Sequence, residues 1–144
     1  MAAELAFWDS SGLVLLVTHQ RATPAARAIR RAFPRFVVWW GARLEVRSAI
    51  ARLRRDGLLD PVGAAQAISK LEALCSGVAE VAPSREVRAR AEQLTGVHDV
   101  RAADALQLSA ALEWCTERPR GRVLVCFDKR LAVAARDAGF DVRP

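Results

Sequence analysis

Nothing in this sequence approaches the roughly 20 consecutive apolar residues that a helix needs to cross a bilayer, so no membrane-spanning helix is expected. Cysteine is scarce: Cys75, Cys115 and Cys126 are odd in number, far apart and form no CxxC pair. That argues against a zinc framework or a disulfide scaffold, and three free thiols suit a reducing cytoplasm. The opening "MAAELAFWDSS" lacks a basic leader and carries Glu4 and Asp9 early, so a secretory signal is not expected. Repeats, low-complexity tracts and linkers are missing too. With 144 residues, 52% of them hydrophobic, the chain excludes disorder and reads as one domain over residues 1–144.

Lysine is nearly absent, and the net charge of +6 rests on 20 Arg against 2 Lys. A GC-rich genome would produce such a ratio, so the ratio carries no functional message. The placement carries more. Between Arg21 and Arg55 there are ten arginines and a single acid, Glu45. A basic block in a folded domain commonly faces a polyanion. The plainer alternatives are a solvated face, or one that meets an acidic protein partner.

Short apolar runs alternate with helical patterns. "LAFWD" (Leu5–Asp9) reads as a strand, followed by a short helix near Ser11–Val17. Thr23-Pro24 reads as a cap and first turn opening a helix to about Ala32. "FVVWW" (Phe36–Trp40) reads as a strand buried on both faces. Ala42, Val46, Ala49, Ile50 and Leu53 form one apolar stripe on a helix from about Ala42 to Arg55, which Gly57 ends. Asp60-Pro61 opens a helix reaching Cys75, with Gly77 as its stop. "VAEVA" (Val78–Ala82) is a strand, Ser84 caps a helix that Gly96 ends, and Asp99 is placed to cap the helix of "RAADALQLSAAL". "RVLVCF" (Arg122–Phe127) is a buried strand, "KRLAVAARDA" a helix ending at Gly139, and "FDVR" (Phe140–Arg143) a last strand. This alternation predicts a parallel sheet with helices on both faces. Ligands of such sheets bind beyond the carboxyl ends of the strands, near the topological switch point.

That rule selects four acids. Asp9 and Asp128 each end a strand, Glu45 lies in the first turn of the helix after "FVVWW", and Asp104 lies early in an apolar helix. If the strands bearing Asp9 and Asp128 are neighbours, four separate segments bring their carboxylates to one edge. Two carboxylates about 4 Å apart repel by roughly 4 kcal/mol at an effective dielectric near 20. Such a cluster either takes up protons or holds a cation. An all-oxygen set suits Mg2+ or Mn2+, and an ion of that kind activates water and offsets charge on a phosphate. Singly, Asp9 reads as a strand-end turn residue, Asp128 as an N-cap and Glu45 as a first-turn acid favoured by the helix dipole. Asp104 differs, because it stacks over Leu108 and Ala111, where a structural aspartate gains little.

At these residues the chain resembles the PIN-domain nucleases, and among them the VapC-type toxins of prokaryotic toxin–antitoxin pairs. The resemblance lies in "FWDSSGLV", "ARLEVRSAI", "RAADALQLSAAL" and "VLVCFDKRLAVAARDAGFDV", in that order along nearly the whole chain. It implies a three-layer α/β/α fold around a mostly parallel sheet of four to five strands. It also implies an Mg2+- or Mn2+-dependent endoribonuclease that cleaves RNA single-strand-selectively. Asp9, Glu45, Asp104 and Asp128 fall on the family's acidic quartet, with Asp9 and Asp104 nearest the metal. Ser10 and Ser11 fall on the hydroxyl pair that orients the first acid or a phosphate. From the arginine block, Arg43 and Arg47 are the expected substrate contacts. RNA as substrate, a cognate antitoxin and a homodimer are the implied partners.

The departures are specific. Cys126 stands where many members carry Thr or Ser, and a thiol is a weak donor, which weakens support for the fourth acid. Trp40 reads as a core residue, with base stacking as the alternative. His19 and His98 match no part of the family site and read as surface or turn residues. The competing functions are a stand-alone nuclease of RNA maturation and a non-catalytic RNA- or protein-binding module. A receiver-like domain fits poorly, because no acid pair follows the first strand.

Overall fold

The computed structural model describes residues 4–144. Its elements run β1 (Leu5–Trp8), α1 (Ser10–Val17), α2 (Thr23–Ala32), β2 (Arg35–Trp39), α3 (Ala42–Arg55), α4 (Pro61–Cys75) and β3 (Ala79–Val81). There follow α5 (Arg85–Val97), α6 (Ala102–Trp114), β4 (Val123–Val125), α7 (Lys129–Ala138) and β5 (Asp141–Arg143). Among the described residues the five strands form one sheet in the order β3-β2-β1-β4-β5, and every pairing is parallel. Parallel neighbours require crossovers, and right-handed crossovers put helices on both faces. Helices α1 to α4 pack together, while α5, α6 and α7 pack on one another and against the sheet. The expected three-layer α/β/α architecture is what the chain adopts.

The chain runs outward from β1 through β2 to β3, then returns across the sheet to β4. The switch point therefore lies between β1 and β4, which pair with Phe7 opposite Leu124 and Trp8 opposite Val125. Strands buried on both faces need continuous apolar sequence. Ala6, Phe7 and Trp8 of β1 and Val123, Leu124 and Val125 of β4 supply it, each less than a tenth exposed. Trp8 stacks on Phe36 with ring centroids 4.5 Å apart.

Several boundaries differ from the sequence reading, each for a local reason. Thr23 does not cap α2: it is helical, and its hydroxyl accepts from the Gln20 N–H at 2.9 Å and donates to the Leu15 carbonyl at 2.8 Å. That hydroxyl ties the α1–α2 loop instead. Helix α5 runs through Gly96 and stops at His98, whose extended backbone breaks the helix while its N–H still reaches the Leu94 carbonyl. Asp99 caps nothing. Arg101 occupies the N-cap of α6, and Asp99 pairs with Arg130 at 3.7 Å. Strand β4 is shorter than expected because the Phe127 N–H is taken by the Ser11 hydroxyl at 2.7 Å.

Trp39 and Trp40 part company at the end of β2. Trp39 is buried and Trp40 is 57% exposed, so the expectation of a core residue at Trp40 is overturned. The strand ends at Trp39, and alternation along the backbone turns the next side chain outward. Gly41 makes the following turn possible, since a Cβ there would lie 2.5 Å from the Trp39 indole nitrogen. Helix α3 can start over Trp39 because position 41 has no side chain.

Candidate active site

Asp9 follows β1 directly and serves as N-cap of α1. It is 3% exposed. One carboxylate oxygen accepts from the Ser11 hydroxyl at 2.6 Å and from the Gly12 N–H at 3.2 Å. The other accepts from the Cys126 thiol at 3.4 Å. Burial dominates these donors, and it pushes the Asp9 pKa up to about 7, with the charge of Glu45 adding to the rise.

Glu45 sits in the first turn of α3, half-buried. Ser10 donates to one of its oxygens at 2.9 Å and the Gln107 amide donates to the other at 3.1 Å. Its pKa is raised, first by burial and further by the charge of Asp104. Asp104 lies in the first turn of α6. Burial raises its pKa and the charge of Asp128 adds to the rise, against the Arg101 backbone N–H and the Arg130 and Arg101 side chains. The Arg101 N–H gives Asp104 a helix-start role that its stacking over Leu108 did not suggest. Asp128 is exposed, and its carboxylate caps α7 by accepting from the Leu131 N–H at 2.9 Å.

The four acids thus line up from Asp9 through Glu45 and Asp104 to Asp128, each close enough to feel the next one's charge. They lie at the carboxyl ends of the strands, at the β1–β4 switch point. A hollow of about 410 Å3 opens at the outer end, lined by Asp104, Asp128, Arg101, Ala103, Lys129 and Arg130. Among the described residues, no three His, Cys, Asp or Glu side chains converge on one point as they lie. The donor set still suits a hard divalent ion. Its groups are all carboxylates, and Mg2+ takes one or two directly while keeping several waters.

The supporting residues are only partly those expected. Ser11 is fully engaged, donating to Asp9 and accepting from Phe127. It orients the carboxylate and has little left for a phosphate. Cys126 contacts Asp9 rather than the carboxylate of Asp128, and reaches Asp128 only at its backbone carbonyl, 3.2 Å away. Gln107, 1% exposed, holds Glu45 while its own carbonyl oxygen finds no protein partner among the described residues. The sequence reading missed it, although its place three residues after Asp104 puts both on one helix face. Arg43 is exposed on α3, and Arg47 is paired with Glu72 at 3.3 Å. His19 is exposed and His98 ends α5.

No family model matches the chain. It is 29% identical over 140 residues to Ribonuclease VapC45 of Mycobacterium tuberculosis (strain CDC 1551 / Oshkosh), covering 97% of this chain and 95% of that protein. The same identity and coverage hold for Ribonuclease VapC49 of M. tuberculosis (strain ATCC 25618 / H37Rv). Among solved structures, the fold matches VapC20 of M. tuberculosis, a sarcin–ricin-loop-cleaving toxin, with a TM-score of 0.66 at 19% identity over 96% of this chain and 99% of that one. It also matches PAE2754 from Pyrobaculum aerophilum, with a TM-score of 0.62 at 22% identity over 99% of this chain and 90% of that one. The resemblance to VapC-type PIN-domain ribonucleases that four sequence motifs suggested is borne out in sequence and in fold along nearly the whole chain.

Proposed function

We propose that this chain is a metal-dependent endoribonuclease that hydrolyses RNA phosphodiester bonds, and that it is the toxin of a type II toxin–antitoxin pair. The observation that carries the reading is the row of four acids from four separate segments at the β1–β4 switch point, with Asp9 buried at its inner end. Burying a carboxylate without a cation is costly. A protein that keeps one there gains when an ion takes the proton's place. The similarity to VapC ribonucleases over nearly the full chain supports the same reading.

Asp9 and Asp104 would hold Mg2+ or Mn2+ directly, with Glu45 and Asp128 completing the shell through water or a second ion. When bound, the ion lowers the pKa of a water and offsets charge on the phosphate. The residues of the chain prepare that site. Ser11, Gly12 and Cys126 fix the Asp9 carboxylate, and Ser10 and Gln107 fix Glu45 from opposite oxygens. Fixed donors of this kind remove reorganisation cost at the moment of reaction. Water attacks phosphorus in line, the bond to the 3′ oxygen breaks, and that oxygen takes a proton from solvent, leaving 5′-phosphate and 3′-hydroxyl ends. A cognate antitoxin covering the acid row and a homodimer complete the proposal, with the cytoplasm as its setting.

Purified protein incubated with structured RNA and Mg2+ or Mn2+ tests the reading, beside Asp9→Ala and Asp104→Ala. The wild type is expected to cleave, and each variant to lose at least about 100-fold, the scale set by a group that stabilises only the transition state. Equal cleavage by all three rejects the site. Calorimetry with Mg2+ separates the nuclease from a non-catalytic binding module, and growth arrest relieved by a neighbouring gene product separates the toxin from a maturation enzyme.

A further inference from the structure

Three cations stand beside the outer acids. Arg101, Lys129 and Arg130 line the same hollow of about 410 Å3 as Asp104 and Asp128. Arg101 precedes α6 and Lys129 opens α7, so both come from the segments that carry those acids. Both are exposed, and among the described residues neither is paired with a carboxylate within ion-pair distance. Arg130 reaches only Asp99, at 3.7 Å, and Asp99 is almost fully exposed. Such a pairing contributes little.

Unpaired cations beside a site that collects a divalent cation oppose that ion. An anion seated among them removes the conflict. Six arginines of the block of residues 21–55 line hollows elsewhere. Arg30 and Arg35 line a hollow at the amino ends of β1, β2 and β3. Arg27 and Arg30 join Lys70 between α1, α2 and α4. Arg47, Arg54 and Arg55 line the groove between α3 and α4. None of these hollows includes Asp9, Glu45, Asp104 or Asp128.

We infer that Arg101, Lys129 and Arg130 form a subsite for a backbone phosphate of single-stranded RNA, next to the scissile bond at the Asp104–Asp128 end of the acid row. The inference rests on the nuclease reading above. Arginine offers a planar fork of donors and lysine a point charge. A contact to a phosphate carries no base identity, so the subsite positions the strand without selecting its sequence.

The test compares the full-length wild type, Arg101→Ala/Lys129→Ala, Arg101→Lys/Lys129→Arg and Arg54→Ala/Arg55→Ala, whose arginines line the α3–α4 groove. Each is assayed for cleavage of a single-stranded oligoribonucleotide across a salt series and across a Mg2+ series. In the first double variant KM is expected to rise. The slope of log(1/KM) against log salt is expected to fall by up to about 0.7, the value for one phosphate contact of a single strand. The Mg2+ concentration for half-maximal rate stays unchanged or falls, because two opposing charges are gone. The charge-conserving swap and the Arg54/Arg55 variant keep the wild-type slope. An unchanged slope in Arg101→Ala/Lys129→Ala overturns the inference, as does a rise in its Mg2+ requirement, which would mean general damage to the site. An equal fall of the slope in Arg54→Ala/Arg55→Ala overturns it as well. A wild type that fails to cleave with either metal sinks the nuclease reading itself, and the subsite with it.

Discussion

Asp9 concentrates the energetic tension of the site in one side chain. Its carboxyl has a pKa of about 7 in the fold against an ordinary 3.8. Between those values the folded, metal-free protein holds a proton that the unfolded chain has released. Stability then falls as pH rises. The contribution is fully present below about pH 4 and is lost on passing pH 7, and the difference corresponds to at most on the order of 4 kcal/mol. Asp9→Asn keeps an oxygen acceptor for Ser11 and Gly12 and removes the buried charge. With chelator present, that variant is expected to melt higher than the wild type at pH 8 and to show a flatter dependence of melting temperature between pH 4 and 7. Parallel pH profiles for the two proteins would mean that Asp9 is not the titrating group. Excess Mg2+ should raise the melting temperature of the wild type at pH 8, because an ion that binds only the fold stabilises it.

At the scale of elements, the placement of Glu45 depends on how α3 leaves β2. Glu45 is in the first turn, so any shift in the start of the helix moves its carboxylate away from Ser10 and Gln107. Gly41 sets that start, because Trp39 fills the space its side chain would occupy. Gly41→Ala is expected to cost about 1–3 kcal/mol, the usual penalty for overpacking. Urea denaturation followed by fluorescence measures this, and Mg2+-dependent cleavage should fall with it. A variant as stable and active as the wild type would show that α3 adjusts freely. The opposite layer is tied by Arg90 of α5, which bonds Ser109, Glu113 and Glu117 on and beyond α6. That clamp holds the helix carrying both Asp104 and Gln107.

Over the whole molecule, basic side chains are spread around a single sheet while Asp9, Glu45, Asp104 and Asp128 gather at one edge. On the nuclease reading proposed above, a strand of RNA drawn in by the net charge of +6 would meet Trp40 at that carboxyl edge, immediately after β2. An exposed indole there offers a face for a base, worth about 1–3 kcal/mol in related stacking interactions. Trp8 and Trp39 are buried and Trp114 is half-buried, so Trp40 is the tryptophan open to quenching. A single-stranded oligoribonucleotide is expected to quench wild-type emission. Trp40→Leu should lose that quenching and bind about 5-fold or more weakly. Quenching that survives the substitution would remove Trp40 from the path of the strand.

Strand–helix alternation, the four acids and their positions at strand ends or early in helices were all legible in the order of residues. These features depend on local chemistry: β-branched and aromatic runs, caps at Asp60 and Ser84, and the helix stop at Gly139. The boundaries that were misread, at Thr23, Gly96 and Asp99, are places where a loop interaction or a charge on another segment competes with the local signal. Composition could show that arginine was plentiful, but not that Arg101, Lys129 and Arg130 stand beside the acids while Arg47, Arg54 and Arg55 line a groove elsewhere. It could not show that Cys126 serves Asp9, that Gln107 holds Glu45 or that Trp40 faces outward. The sequence by itself determined which groups exist and which element carries each. Their partners were decided by the tertiary structure, because a charge or a donor acts through space over a few ångströms, and only the folded sheet brings residues a hundred positions apart within that range.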